Sequence, residues 1–228
     1  MKKPNWGTYA FEFLSIFVAV ILAFALSNWN DNRRDRNAEV SILAEIKNGL
    51  QKDIDDVKLN MYGHKEGIRA CEYWNNLVQN AETNLDSFTY HYFNLTRDYI
   101  SIQNNSGYES LKSKGLDIIK NDSLRFDIIS FYEYDLNNLE KLEEEYREMQ
   151  FHDSYYHNMN NIMAPYLTFD TLGNIGIRLP LNLSQVEKNI LLSNLWKIRV
   201  NRNFILTYYA DIGSKINSLV AKIEEEIR

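Results

Sequence analysis

The stretch FEFLSIFVAVILAFALSNWNDNRRDR, residues 11–36, decides how the rest of the chain is read. From Phe13 to Leu26 it holds 14 residues whose single polar member is Ser15. A bilayer span takes about 20 apolar residues. Counting from Tyr9 to Trp29 gives 21, if Glu12, Ser27 and Asn28 are admitted. Trp6 and Tyr9 before the stretch, and Trp29 at its end, stand where interfacial aromatics belong. Lys2 and Lys3 give a basic start and AFA (Ala23 to Ala25) resembles a small-x-small cleavage site, as in a secretory signal. Glu12 counts against that, because it would fall between the basic and apolar regions of a signal. The expectation is a retained transmembrane helix.

Turned at 100° per residue, the segment is two-sided. Thr8, Glu12, Ser15, Ala19, Ala23, Ser27 and Asn30 share one stripe with Ile16 and Leu26. Leu14, Phe17, Ile21 and Phe24 lie opposite. Small and polar faces in membranes pack helix on helix, since small residues let backbones approach and polar ones bond across. A carboxylate at membrane depth faces protein or a water-filled path. One such segment is present, so the partner expected for it is another copy of the chain. Two readings stay open: a dimerising anchor with Glu12 at headgroup level, or a ring of four or more helices whose stripe lines a pore. Arg33, Arg34 and Arg36 follow the segment, against Lys2 and Lys3 before it. The balance leans towards a cytoplasmic C-terminal domain.

Beyond residue 30 lie 198 residues, enough for one helical domain with its own core. Aromatics make up 13% of the chain, which is buryable surface that disordered chains lack. Three Pro and nine Gly in 228 residues favour helices. A net charge of −6 supplies no global attraction for nucleic acid or anionic lipid. The single Cys71 can form no intrachain disulfide. The division expected is a transmembrane segment at 1–30 and a helical soluble domain at 31–228.

Val40, Leu43, Lys47, Leu50, Ile54, Val57 and Met61 step by three and four, an a/d seam. This predicts a long helix leaving the membrane and running to about Tyr62, with a break near Gly63. Ser184 with Glu187 three residues on predicts a capping box. It opens a helix of about 40 residues whose seam is Ile198, Arg202, Ile205, Tyr209, Ile212, Ile216, Leu219 and Ile223, with a bend at Gly213. Leu124, Ile128, Phe131, Tyr132, Leu136 and Leu139 predict a third amphipathic helix. Its LEEEYRE run reads as a solvated face. Residues 164–180 read as irregular or a short hairpin. The fold class is all-α: one N-terminal transmembrane helix continuing into a long helix, then a helical bundle.

Each seam carries one basic residue, Lys47 and Arg202. A buried stem with its charge at the edge is the ordinary expectation. An anion site is the alternative, and KIRVNR (Lys197, Arg199, Arg202) is the best cluster for a phosphate group, with Lys47 a further candidate. His152 and His157 are five apart and H-E-x-x-H is absent, so no metal site is expected. Phosphate-cradling glycine loops and G-x-S-x-G are absent too. No enzyme and no cofactor is expected.

EFLSIFVAVILAFALSNWNDNRR and NNSGYESLKSKGLDIIKNDSLRFDIISFYE together resemble a widespread family of bacterial membrane-anchored proteins of unknown function. The second stretch is similar to that family's Tyr-x-x-Leu-x-x-x-Gly motif, here Tyr108, Leu111 and Gly115. The resemblance implies a helical domain on an inner-membrane anchor and carries no chemistry. In plan, the chain is also similar to the membrane effectors of Hailong-type anti-phage systems, where an oligonucleotide controls a channel. That likeness implies a ligand-controlled pore in antiviral defence, with an anionic nucleotide as ligand. A non-conducting scaffold or sensor subunit beside a partner protein is the alternative.

Overall fold

A computed structural model describes residues 6–228, with side chains from residue 11 onward. Lys2 and Lys3, and the side chains of Trp6, Thr8 and Tyr9, lie outside the described residues. The architecture is all-helical apart from one small hairpin.

Helix α1, Trp6–Val78, is 73 residues long and unbroken. Its apolar start forms the one helix, among the described residues, long and apolar enough to cross a membrane, with a mean hydropathy of 2.0 and no part buried. Packing begins near Arg36, which pairs with Glu39 and Glu226. From Ile42 onward α1 is the spine of the domain. The predicted end at Tyr62 is corrected: the helix runs four turns further. Gly63 does not break it because its bare face is used. A Cβ there would sit 2.2 Å from the Tyr99 ring. The glycine permits a close tertiary approach, at a modest cost in helix propensity.

Helix α7, Gln185–Glu226, begins at the predicted capping box, with the Ser184 hydroxyl and Glu187 bonding each other's backbone N–H. It runs antiparallel to α1: Glu224 faces Lys47, Gly213 faces Ile54 and Val57, and Arg202 faces His64. All eight positions of its predicted seam are buried. Gly213 lies in ordinary contact with Ile54 and Val57, 3.4 and 3.7 Å from a Cβ placed on it.

Between them come α2 (Phe88–Thr96), α3 (Ser106–Lys114), α4 (Asp122–Ser130), α5 (Asn137–Glu144) and α6 (His157–Met163). A π-helical turn, Phe131–Leu136, joins α4 to α5 so that they form one continuous helix. Its six predicted core positions are all buried. In the tyrosine motif, Tyr108 stacks on Tyr132 at 4.5 Å, Leu111 is buried, and Gly115 takes a φ of 102° that side-chain-bearing residues avoid. The segment at 164–180 holds the hairpin, β1 (Leu167–Phe169) pairing antiparallel with β2 (Ile175–Ile177).

The domain has two apolar cores. The proximal one, nearer the apolar segment, packs α1 from Ile42 to Val57 against α3, α4, α5 and the far half of α7. The distal one packs Ala70 to Val78 against α2, α6, the hairpin and Leu191 to Ile198. His64, Gly67 and Arg202 occupy the junction between the two cores.

Candidate functional site

In the apolar segment, every side chain from Phe11 to Arg34 is exposed. The unbroken helix keeps Glu12, Ser15, Ala19, Ala23, Ser27 and Asn30 in one stripe, and no part of the domain covers it. The Ser15 hydroxyl donates to the Glu12 backbone carbonyl at 2.8 Å. At the helix's exit Arg33 lies 5.8 Å over the Trp29 ring.

The four basic candidates do not form one cluster. Lys197 and Arg199 are exposed and, two residues apart on a helix, point to opposite sides of it. Lys47 lies far along the rod, half-buried and 3.6 Å from Glu224, as an edge-seated lysine should. Arg202 departs from that expectation: only 6% of it is exposed, and its guanidinium does not reach an edge.

Arg202 is held by backbone. Its Nη2 donates to the carbonyls of Asn94, Leu95 and Arg97, at 3.3, 3.1 and 3.0 Å. The first two are last-turn carbonyls of α2, which lack partners within their own helix, and the third belongs to the residue that caps it. A cation there also meets the negative end of the helix dipole. Gly67 makes the position accessible, since a Cβ on it would lie 2.4 Å from the Arg202 Cζ. The Tyr99 ring lies over the guanidinium, with Cζ 5.4 Å from the ring centroid. One charged group therefore ties α7, α1 and α2 together.

His64 sits beside it, with Nδ1 in a long 3.5 Å contact with Arg202 Nη1. Burial, then the Arg202 charge, push the imidazole down to about 3, so it is neutral at pH 7. With Nδ1 facing a donor, the ring proton belongs on Nε2. Arg202 Nε is buried and finds no acceptor, and His64 Nε2 is buried with only a weak partner in the Tyr99 backbone carbonyl. Burial likewise pulls the Arg202 guanidinium down from its usual range, against the pull of Cys71, Tyr99 and Asp98. Both residues line a cleft of about 30 Å³, walled also by Arg97, Asp98, Glu143 and Asn201. That volume holds about two waters.

The floor of the region is a strap, residues 97–105, fastened to carboxylates through its own backbone. Ser101 N–H donates to Glu143 at 3.2 Å, Ile102 N–H to Asp56 at 3.0 Å, and Asn104 N–H to Asp53 at 2.9 Å. Glu143 also accepts from the hydroxyls of Ser101 and Tyr209. This corrects the solvated reading of LEEEYRE: Glu143 is buried and faces inward, while its neighbours Glu144 and Glu145 are exposed. Burial holds its carboxyl above the usual range, opposed by those hydrogen bonds.

Asp53 goes further. Burial is the main cause lifting its carboxyl from 3.8 to about 6, and its Oδ2 finds no donor. A folded-state value above the unfolded one means the folded protein holds the proton more tightly. The contribution of Asp53 to stability is then fully present below pH 3.8 and is lost as pH rises through about 6. Asp53→Asn should accordingly stabilise the protein at pH 8 by about 1–2 kcal/mol, the gain fading by pH 4. Urea unfolding at both pH values checks this, and a gain independent of pH would reject it.

No group of three or more His, Cys, Asp or Glu among the described residues is arranged to hold a metal. His152 and His157 are exposed. Cys71 is buried and burial pushes its thiol up to about 11, which leaves it unreactive. Gly67, His64, Tyr99 and Glu143 were not singled out by the sequence. A signal for the first was present: Gly63 and Gly67, four apart on one helix, mark a face that something approaches closely. Comparison with protein-family models, curated proteins and solved structures gives no match.

Proposed function

We propose that the chain is a single-pass membrane protein whose helical domain responds to a ligand and sets the disposition of its membrane helix, several copies together forming an ion-conducting pore. One observation carries this reading: a single unbroken helix bears both the stripe from Glu12 to Asn30 and the cleft wall at Gly63, His64 and Gly67. A change in how α7 and α2 sit on that wall moves a rigid rod, and the rod's other end is the apolar segment. A ligand biases such a movement only by binding one arrangement better than the other. One helix encloses nothing, so conduction requires a ring of copies. A role as an antiviral effector in a bacterial inner membrane, with the domain on the cytoplasmic side, is consistent with this plan.

A non-conducting anchor is the second reading. It is favoured by Ser15, whose hydroxyl is already satisfied within its own helix and needs no neighbour. Mass in detergent and ion leak from vesicles separate the two. The pore reading expects four or more copies and a cation leak that falls in Glu12→Gln. A monomer or dimer without leak rejects it.

A further inference from the structure

The cleft at the junction of the two cores contains a charge with no counter-charge in contact. Every hydrogen bond that Arg202 makes goes to a neutral group, three carbonyls and one imidazole. Its Nε–H is buried without an acceptor, and the Nε2–H of His64 makes no full hydrogen bond, the Tyr99 backbone carbonyl being only a weak partner. Buried donors left without acceptors are costly and ordinarily have partners. Here the two residues that carry them line one cleft.

We propose that this cleft binds an oxyanion, the carboxylate or phosphate group of a small solute, seated on Arg202 and His64. This deepens the reading of the chain as ligand-controlled and names the chemistry of the ligand. Guanidinium is the side chain best suited to such groups, being always charged and weakly hydrated. A volume of about 30 Å³, room for about two waters, admits two oxygens of the anionic group and leaves the rest of the solute at the mouth. Arg97 adds a second positive charge to the lining.

Three acids also line the cleft, and each is accounted for. Asp98 accepts from the Phe151 N–H. Glu143 is turned to Ser101 and Tyr209. Glu148 is exposed, and its carboxylate is the one that opposes an incoming anion from the mouth. A lipid headgroup is too far away. His64 lies 35 residues beyond Trp29 on one unbroken helix, about 50 Å at 1.5 Å per residue. The ligand is therefore a free solute.

Its position explains how binding would be felt. Among the described residues, Arg202 is the one side chain that reaches both α2 and α1 from α7, so an anion on it competes with the α2 carbonyls for the same charge. The test is calorimetric titration of the full chain in non-ionic detergent with inorganic phosphate and, separately, acetate. Saturable binding at one site per chain is expected with phosphate, acetate or both, and which of them binds identifies the group. Because Arg202 variants lose stability along with any ligand, the rim supplies the variants. Arg97→Gln should weaken binding, and Glu148→Gln should tighten it, each by about two- to fivefold as rim charges do. Vesicles of anionic lipid should not displace the phosphate. No saturable binding of either anion, affinities indifferent to both variants, or displacement by vesicles would overturn the site. Binding without vesicle leak rejects the pore alone, and leak without binding rejects the site alone.

Discussion

Gly107→Ala should destabilise the domain by about 3 kcal/mol, the upper end of the cost of overpacking. Gly107 opens α3 and lies directly on α1. A Cβ there would stand 2.6 Å from the Ile46 nitrogen, 2.8 Å from its Cα and 2.9 Å from the Glu45 carbonyl carbon. All three are backbone atoms in the middle of a long helix, so no rotamer change relieves the contact. The helix α3 must lift, taking Tyr108 off Tyr132 and Leu111 out of the proximal core. Gly213→Ala is the same chemical change on α7 and should have the opposite sign. Its Cβ would meet only the ends of Ile54 and Val57, at 3.4 and 3.7 Å. The gain in helix propensity, about 1 kcal/mol, is then expressed almost whole. Thermal unfolding followed by helix circular dichroism reads both. Equal shifts for the two variants would mean that α3 does not rest on α1 as described.

The contrast shows what a sequence conveys and what it hides. Periodicity reports which face of a helix is buried. The seam from Ile198 to Ile223 and the middle run from Leu124 to Leu139 were legible for that reason, and every position named in them is buried. The capping box was legible because both its halves lie within four residues. A glycine in a helix has no such signature. Gly63 read as a break, Gly213 as a bend, and Gly107 drew no notice, yet each is defined by what approaches it from elsewhere in the chain. The same holds for charge. Glu143 sits in an acidic run whose composition predicts solvent, and its partners Ser101 and Tyr209 lie 42 and 66 residues away. Arg202 falls on the seam by spacing, but the carbonyls that receive it are more than 100 residues distant. Local pattern placed these groups on the right face. Only the tertiary fold decides whether an inward-facing charge bends to the edge, as Lys47 does, or stays inside.

Arg202 stays inside because Gly67 and α2 together make a place for it, and that joint dependence has a measurable form. Arg202→Met removes the donor from the carbonyls of Asn94, Leu95 and Arg97 and should cost about 3 kcal/mol, as breaking a buried charged contact does. Gly67→Ala drives a methyl to within 2.4 Å of a guanidinium that three carbonyls hold in position, and should cost about 2 kcal/mol or more. In the double variant the methyl meets a flexible thioether instead of a fixed cation. The two costs should then fall short of their sum by about 1–2 kcal/mol, within the range found for residues in contact. Urea unfolding of the four proteins closes the cycle. Costs that add within about 0.5 kcal/mol would show that Gly67 and Arg202 act independently. The guanidinium would then not rest on α1, and a ligand on Arg202 would have no direct hold on the helix that carries the apolar segment. Coupling of the expected size places the charge, the spine helix and the end of α2 in one mechanical unit, which is the condition a cleft about 50 Å from the apolar segment must meet to influence it.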